Sequence, residues 1–382
     1  MTAATHDRPI RILHVLGMME RGGVEAWLMH LLRMIDRDRY RMDFVVHVTE
    51  PQEYDDEVRA LGSALILCPH TRRPLRYARM FSHILREYGP YDVVHSHVHQ
   101  YSGLVLRLAK RAGVPVRIAH SHLDATAFEA QASPQRRAYL KLMRHWIDAT
   151  ATDGLAASGQ AAVDLFGPGW EADARYRTLF CGIDLSPFAQ PVCREAVRAE
   201  LHIPQGAFVI GHVGRFTEQK NHALLLNVAA EMMARDANVY FLLIGEGELR
   251  PAIMARAAAL GLGERVIFAG SRADVPRLMR GAMDAFLFPS HYEGLGLVLV
   301  EAQAAGLPCV LADVVPGEAD IVPPLVHRLS LHQSPGVWAD ALLAIRDMPL
   351  PITQPDALAI ARATPFDVHA SWTALERVYA RQ

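Results

Sequence analysis

Ser290-His-Tyr-Glu293-Gly294-Leu295-Gly296-Leu297-Val-Leu-Val-Glu301-Ala-Gln-Ala-Ala-Gly306-Leu-Pro308 is the stretch whose reading decides the fold. It follows Asp284 to Phe288, an apolar run closed by Pro289 and Ser290, which reads as a buried parallel strand. From about Leu297 apolar and small residues recur at helical spacing until Gly306 stops them, and Pro308 opens another strand. Glu293 therefore belongs to a glycine-bearing loop at a strand's carboxyl end, and Glu301 sits about one turn into the next helix. Open α/β sheets bind ligands at that edge. Gly294 and Gly296 let backbone N–H groups approach an anion at the helix N-terminus. Two carboxylates framing such a loop suit a ligand with hydroxyls on either side of a phosphate. An isolated pair at this spacing would be read as a helix cap and a solvated side chain; the strand, the glycines and the Gly-x-Pro ending argue otherwise.

The same alternation runs through the chain. Ile10–Leu16 reads as a strand, then come Gly17, Gly22 and Gly23, then Val24, Trp27, Leu28, Leu31, Leu32 and Ile35 at helical spacing. Further strand-like runs lie at Asp43–Val48, Ala64–Leu67, Asp92–His95, Val116–Ala119 and Gly154–Ser158. Residues 182–191 are loop-like, and a second series follows at Phe208–His212, Val239–Ile244, Val266–Ala269, Ala285–Phe288 and Cys309–Leu311. Strands separated by helices predict parallel sheets covered on both faces, so each half is Rossmann-like. A last helical segment spans Asp367 to Arg381.

Bulk properties bound the rest. At 382 residues the chain exceeds what one core usually serves, which predicts two domains. A net charge of −2 provides no field to recruit nucleic acid. The four cysteines, Cys68, Cys181, Cys193 and Cys309, form no C-x-x-C pair, which fits a reducing cytosol. No stretch approaches 18 consecutive apolar residues, and Met1 to Arg8 lacks a signal peptide's apolar core. The expected location is cytoplasmic. His95, His97 and His99 alternate onto one strand face, as metal ligands can. No carboxylate or cysteine follows at a familiar ligand spacing, so no metal is expected.

Several loops carry chemistry. The adjacent glycines Gly22 and Gly23, before Val24 and Glu25, free backbone N–H groups to curl around a phosphate or sugar. In Gly214-Arg215-Phe-Thr-Glu-Gln-Lys220-Asn221, Arg215 offers a planar fork for phosphate oxygens and Lys220 a movable point charge. Gly245-Glu246-Gly247 and Gly270-Ser271-Arg272 each end a strand, and His120-Ser121-His122 ends another. Two basic amphipathic stretches stand apart. Arg72 to Arg86 carries five arginines around Leu75, Met80, Phe81, Ile84 and Leu85, and Gln135 to His145 carries Arg136, Arg137, Lys141 and Arg144 with no acid. Both read as solvated helix faces over a core, or as surfaces for an anionic membrane, where each cation adds roughly 1 kcal/mol.

These motifs together resemble the signature of family-4 GT-B glycosyltransferases, retaining enzymes, over Ile10 to about Ala363. The nearest branch is bacterial exopolysaccharide and capsule synthesis, marked by Gly22-Gly23-Val24-Glu25, Ile118-Ala-His-Ser-His122 and Ala151-Thr-Asp-Gly-Leu-Ala-Ala-Ser158 before Phe166-Gly167. The resemblance implies an α/β fold of two Rossmann-like domains with parallel sheets facing a central cleft. It implies an acceptor domain over 1–185, a donor domain over 186–365, and a crossover helix, 366–382, returning to the first. It implies transfer of a hexose or N-acetylhexosamine from a UDP-linked donor to a glycan or polyprenyl-diphosphate-linked acceptor. Donor contacts fall on Gly22, Gly23, Gly214, Arg215, Lys220, Gly245, Arg272, Glu293, Gly294, Leu295, Gly296, Leu297 and Glu301. Catalysis falls on Glu293, Arg215, Lys220 and a strand-end histidine, His122 or His120. A departure is Cys181-Gly182-Ile183-Asp184, where relatives carry Asn before the glycine. No side chain is an obvious nucleophile, and no D-x-D motif stands near the cleft, so neither metal nor other cofactor is implied. A GT-B UDP-sugar 2-epimerase and a non-catalytic sugar-nucleotide-binding subunit are the rival readings.

Overall fold

The computed structural model describes residues 8–122 and 133–380. The chain divides into two compact units, Met1–Gly182 with Val368–Gln382, and Ile183–Asp367.

In the first unit the described strands are β1 (Ile10–Val15), β2 (Tyr40–Val46), β3 (Leu65–Leu67), β4 (Val93–Ser96), β5 (Val116–Ser121), β6 (Asp153–Ala156) and β7 (Tyr176–Thr178). They form one parallel sheet in the order β3-β2-β1-β4-β5-β6-β7. β-branched and aliphatic residues fill both faces, as a strand covered on two sides requires. On one face Val15, Val45, Val94 and Ala119 pack with Tyr77, Phe81, Val105 and Leu106 from the helices Pro74–Glu87 and Ser102–Arg111. The helix Gly23–Met34 buries Trp27, Leu28, Leu31 and Leu32. Each such side chain is worth about 1.5–3 kcal/mol of burial. Helix Val368–Tyr379 completes this unit. Trp27 Nε1 donates to Ser371 Oγ at 3.0 Å, Ser371 donates to the Phe180 carbonyl at 2.8 Å, and Tyr40 Oη donates to Glu376 at 2.9 Å.

The second unit holds β8 (Phe208–Val213), β9 (Val239–Ile244), β10 (Val266–Phe268), β11 (Ala285–Phe288), β12 (Cys309–Ala312) and β13 (Val326–Leu329). Their order is β10-β9-β8-β11-β12-β13, again parallel. The chain reverses its direction of winding between β8 and β11, and one residue locks that pair. Asp284 Oδ2 accepts from Val209 N–H at 2.8 Å, and Asp284 N–H donates to the Val209 carbonyl at 2.8 Å. Arg198, 1% exposed, donates to Asp284 at 2.7 Å and to the Gln205, Ala207 and Ala282 carbonyls. A guanidinium this buried is tolerable only with such partners.

Sequence periodicity locates every strand but two, to within a few residues. β7 and β13 are edge strands of three and four residues, rich in polar side chains, and too short to show alternation.

Candidate functional site

Each sheet has a switch point where the strand order reverses, and such crevices at strand carboxyl ends are where open α/β sheets hold ligands. In the second unit it lies between β8 and β11, where the predicted motifs converge. Gly214 and Arg215 follow β8, Gly245 follows β9, Gly270 to Arg272 follow β10, and Glu293 to Gly296 follow β11. The loops are laced by backbone bonds: Gly214 N–H to Ile244, Phe216 N–H to Glu246, and Gly245 N–H to Gly270, at 3.0, 2.8 and 2.8 Å. Gly245 has φ +140°, and a Cβ there would lie 2.1 Å from the Gly214 carbonyl oxygen, so these loops pack backbone on backbone.

The β8 and β11 loops are also joined through side chains. Lys220 Nζ donates to Glu293 Oε1 at 2.6 Å, with the side chains only 14% and 6% exposed, and lies 4.9 Å above the Phe288 ring. Gln219 donates to the other Glu293 oxygen at 3.3 Å. Glu293 is thus a buried, doubly bonded carboxylate and not a solvated cap. Gly296 takes φ +88° at the start of helix Leu297–Ala304, a conformation few other residues adopt. Glu301, one turn in, is partly exposed, and loss of surrounding water pushes its carboxyl up to about 7.

The remaining predicted residues differ in what they leave available. Arg215 is exposed, and its charge lowers the pKa of the nearby Tyr292 phenol, which burial raises overall. Leu295 is buried, so it supports the loop from below, whereas Leu297 is part-exposed. Gly294 is buried. Arg272 donates to Asp274 at 2.7 Å and Glu200 at 2.8 Å, so its guanidinium serves an ion network and its backbone is what the turn presents.

In the first unit the switch point lies between β1 and β4, and histidines gather there. His14, His95 and His120 lie one residue before the ends of β1, β4 and β5, and His97 and His122 directly follow β4 and β5. Two rows of bonds cross these strands. Tyr379 Oη is bonded to His95 Nδ1 at 2.7 Å, and His95 Nε2 to His120 Nδ1 at 3.1 Å. His14 Nδ1 is bonded to His97 Nε2 at 3.0 Å, His97 Nδ1 to His122 Nε2 at 2.8 Å, and His122 Nδ1 to Cys181 Sγ at 3.6 Å. The Trp27 ring stands 5.5–6.2 Å from His97, His120 and His122. Burial pushes His14 and His122 down to about 3, and His95, His97 and His120 well below the usual range, so all five are neutral.

This overturns the expectation that His95, His97 and His99 share a face. β4 ends at Ser96, and the chain turns through His99–Tyr101 with His99 at φ +50°, its ring bonded to Asp164 at 2.6 Å. The partners it lacks come from β1 and β5, which sequence spacing within one strand cannot reveal. Gly22 caps helix Gly23–Met34, and the Glu25 carboxylate folds back over it, so that a Cβ on Gly22 would stand 2.3 Å from Oε2. Both histidines of the β5 end lie in the cluster, His120 fully buried and His122 part-exposed. The loop after His122 lies outside the described residues. Cys181, at the departure from the family pattern, is buried against His122.

Two parallel-sheet units, each with its candidate loops at the carboxyl edge of the sheet, define a two-domain α/β protein. Comparison with known proteins makes this specific. Residues 194–349 match the family model of glycosyl transferases group 1, and residues 22–178 that of a glycosyl transferase 4-like domain. Over 335 residues the chain is 38% identical to "Putative glycosyltransferase EpsF" of Bacillus subtilis (strain 168), covering 87% of this chain and 86% of that protein. It is 26% identical to the UDP-Gal:alpha-D-GlcNAc-diphosphoundecaprenol alpha-1,3-galactosyltransferase of Escherichia coli, covering 81% of each. The structure of Anabaena Alr3699/HepE in complex with UDP and glucose superposes with a TM-score of 0.79 at 19% identity, covering 98% of this chain and 100% of that one, a likeness of fold. The chain belongs to the family-4 GT-B glycosyltransferases, and it is a glycosyltransferase.

Glu301 gives this site a pH signature. Its folded pKa is raised from 4.5 to about 7, so the stability it contributes is complete below pH 4.5 and lost as pH rises through 7. Glu301→Gln is therefore expected to melt like the wild type near pH 4 and to be more stable at pH 8, by at most about 3 kcal/mol. Thermal melts of both proteins across that range check it; equal differences at both pH values would place the carboxyl in water.

Proposed function

We propose that this glycosyltransferase moves a hexose or N-acetylhexosamine from a UDP-linked donor, with retention, to a glycan or polyprenyl-diphosphate-linked acceptor in surface polysaccharide synthesis. The observation that carries the reading is the Lys220–Glu293 pair at the β8/β11 switch point, with Glu301 one helical turn beyond. A buried cation, loop amides and two carboxylates match a ligand built as ribose, diphosphate and sugar. Glu301 takes the ribose hydroxyls, and Glu293 takes a hydroxyl of the donor sugar. Arg215, Lys220 and the amides of the Gly214 and Gly294–Leu297 loops stabilise charge that grows on the leaving diphosphate. The turns at Gly245 and Arg272 border the base, and Gly22 and Gly23 are assigned to the donor as well. Similar proteins support this reading: the Escherichia coli relative is a UDP-Gal:alpha-D-GlcNAc-diphosphoundecaprenol alpha-1,3-galactosyltransferase, and the HepE structure holds UDP and glucose.

His122, with His120 beside it, reaches the donor sugar. Being neutral, these imidazoles offer hydrogen bonds without placing positive charge beside an oxocarbenium-like transition state. With no enzymic nucleophile in the scheme, the leaving diphosphate takes the acceptor hydroxyl's proton as the sugar passes across on one face. The cations already neutralise the diphosphate, so the reaction needs no divalent ion.

The expected result is slow hydrolysis of one UDP-sugar without acceptor, undiminished in excess EDTA. A screen of nucleotide sugars, followed by release of nucleotide and sugar, checks both points. Activity that vanishes in EDTA and returns with Mg²⁺ would refute the metal-free scheme, and free 2-epimerised sugar would indicate an epimerase.

The acceptor reading extends to the membrane. No described helix is long and apolar enough to cross one. Helix Pro74–Glu87, however, exposes Leu75 at 79% among the exposed arginines Arg72, Arg73, Arg76 and Arg79, while Tyr77, Phe81, Ile84 and Leu85 point into the core. We assign this face to peripheral contact with the anionic inner membrane surface, a cytoplasmic location. Flotation with phosphatidylglycerol vesicles, but not with phosphatidylcholine vesicles, is expected, and Leu75→Asp is expected to reduce it; equal recovery with both lipids would refute it.

A further inference from the structure

The imidazole cluster of the first unit has a property that sugar transfer does not use. A neutral imidazole has one donor and one acceptor nitrogen, and in three of these residues one nitrogen is held from behind. His97 Nε2 is held by His14, His120 Nδ1 by His95, and His122 Nδ1 by Cys181. His97 Nδ1 and His122 Nε2 are left to share a single hydrogen bond. His120 Nε2 meets no partner at hydrogen-bond geometry among the described residues, the Leu179 carbonyl being the polar group near the ring, although the residue has no solvent exposure. A buried ring nitrogen without a partner is costly unless something else occupies it.

We propose that His97, His120 and His122 form a binding site for one divalent ion of the zinc class. One ring nitrogen from each residue lies within 4.8 Å of the others. Ligands about 2.0–2.1 Å from a tetrahedral ion stand about 3.3 Å apart, so modest ring rotations close the set. Bonds from behind are what ligating histidines require, because they fix which nitrogen faces the ion. His95, itself held by Tyr379, serves His120 in this way, and His14 serves His97. The alternative triad of His14, His95 and His97 has the same spacing. It is less suited, because both His95 nitrogens are bonded to groups outside that triad, Tyr379 and His120, whereas His97 Nδ1 and His122 Nε2 are bonded only to each other. His97 and His122 are part-exposed, which gives an ion a way in. Three imidazoles without a carboxylate favour Zn²⁺, Co²⁺ or Ni²⁺ over Mg²⁺ or Ca²⁺, which take oxygen ligands.

The consequence is inhibition, and this half rests on the proposed function. An ion on the ring nitrogens of His120 and His122 removes the groups assigned to the donor sugar. Zinc would therefore suppress an enzyme whose chemistry needs no metal.

The test uses the untagged full-length chain, stripped with EDTA and desalted. Titration calorimetry with ZnCl₂ should show one ion per chain, unaffected by Mg²⁺. Co²⁺ should give the intense visible absorption of a four-coordinate ion. His97→Ala and His120→Ala should each weaken Zn²⁺ binding by more than about tenfold, whereas His99→Ala, outside the cluster, should not. Should His120→Ala fail to fold, His97→Gln at the part-exposed position carries the comparison, and the cobalt spectrum needs no variant. Binding no weaker in the His97 variants, an equal loss in His99→Ala, or the pale spectrum of six-coordinate Co²⁺ would overturn the site. UDP-sugar hydrolysis should fall as Zn²⁺ fills it and recover with EDTA. Tight binding without inhibition would uphold the site and overturn the assignment of His120 and His122 to the donor. Absence of binding would overturn the site and leave the transferase reading intact.

Discussion

The ion pair between Lys220 and Glu293 ties the second unit's sheet to its chemistry. It spans the two loops that leave β8 and β11, the strands between which the winding reverses. Asp284 and Arg198 lock the same two strands beneath it, so the loops spring from a fixed base. Above, the pair holds a largely buried cation, which without its partner would be expensive. Removing either partner of a buried pair costs about 3–5 kcal/mol, because the survivor is left uncompensated. On the proposed function, a diphosphate that replaces Glu293 on Lys220 would exchange one anion for another and free the Glu293 carboxylate for a sugar hydroxyl.

The first unit carries neutral groups at its switch point, whereas the second carries charged ones. Five imidazoles lie at the carboxyl ends of β1, β4 and β5, and helix Val368–Tyr379 fixes them through Tyr379 and, by way of Ser371, through Trp27. Burial keeps the rings uncharged, and a neutral imidazole can turn either a lone pair or an N–H toward a sugar. The same burial leaves lone pairs that a soft cation can collect. Cys181 supplies a weak sulfur partner to His122.

Much of this was legible in the sequence, for reasons specific to each part. Buried parallel strands are long apolar runs, so the central ones announced themselves, while β7 and β13 did not. The clustering of Gly214, Lys220, Glu293 and Gly296 could be read because each motif sits just past a strand, and parallel strands bring all their carboxyl ends to one edge. The partner of each side chain could not be read. Lys220 was expected to meet a phosphate, and the fold shows that it holds Glu293. Arg272 was expected among the donor contacts, and that its guanidinium pairs with Asp274 and Glu200 could not be read from the sequence. The histidine cluster was misjudged because its members come from three strands that are neighbours only in space, and because His99 lies beyond the point where alternation stops.

The most direct measurement is a double-mutant cycle on UDP affinity, by calorimetry, with Lys220→Ala, Glu293→Gln and the two combined. If Glu293 holds Lys220 until the diphosphate takes it, Lys220→Ala weakens UDP, by roughly a hundredfold for a lost charged contact. Glu293→Gln then tightens it, and that gain disappears when Lys220 is absent. If Glu293→Gln instead weakens UDP as much as Lys220→Ala does, or if its effect persists without Lys220, the pair is a structural brace and the diphosphate binds elsewhere.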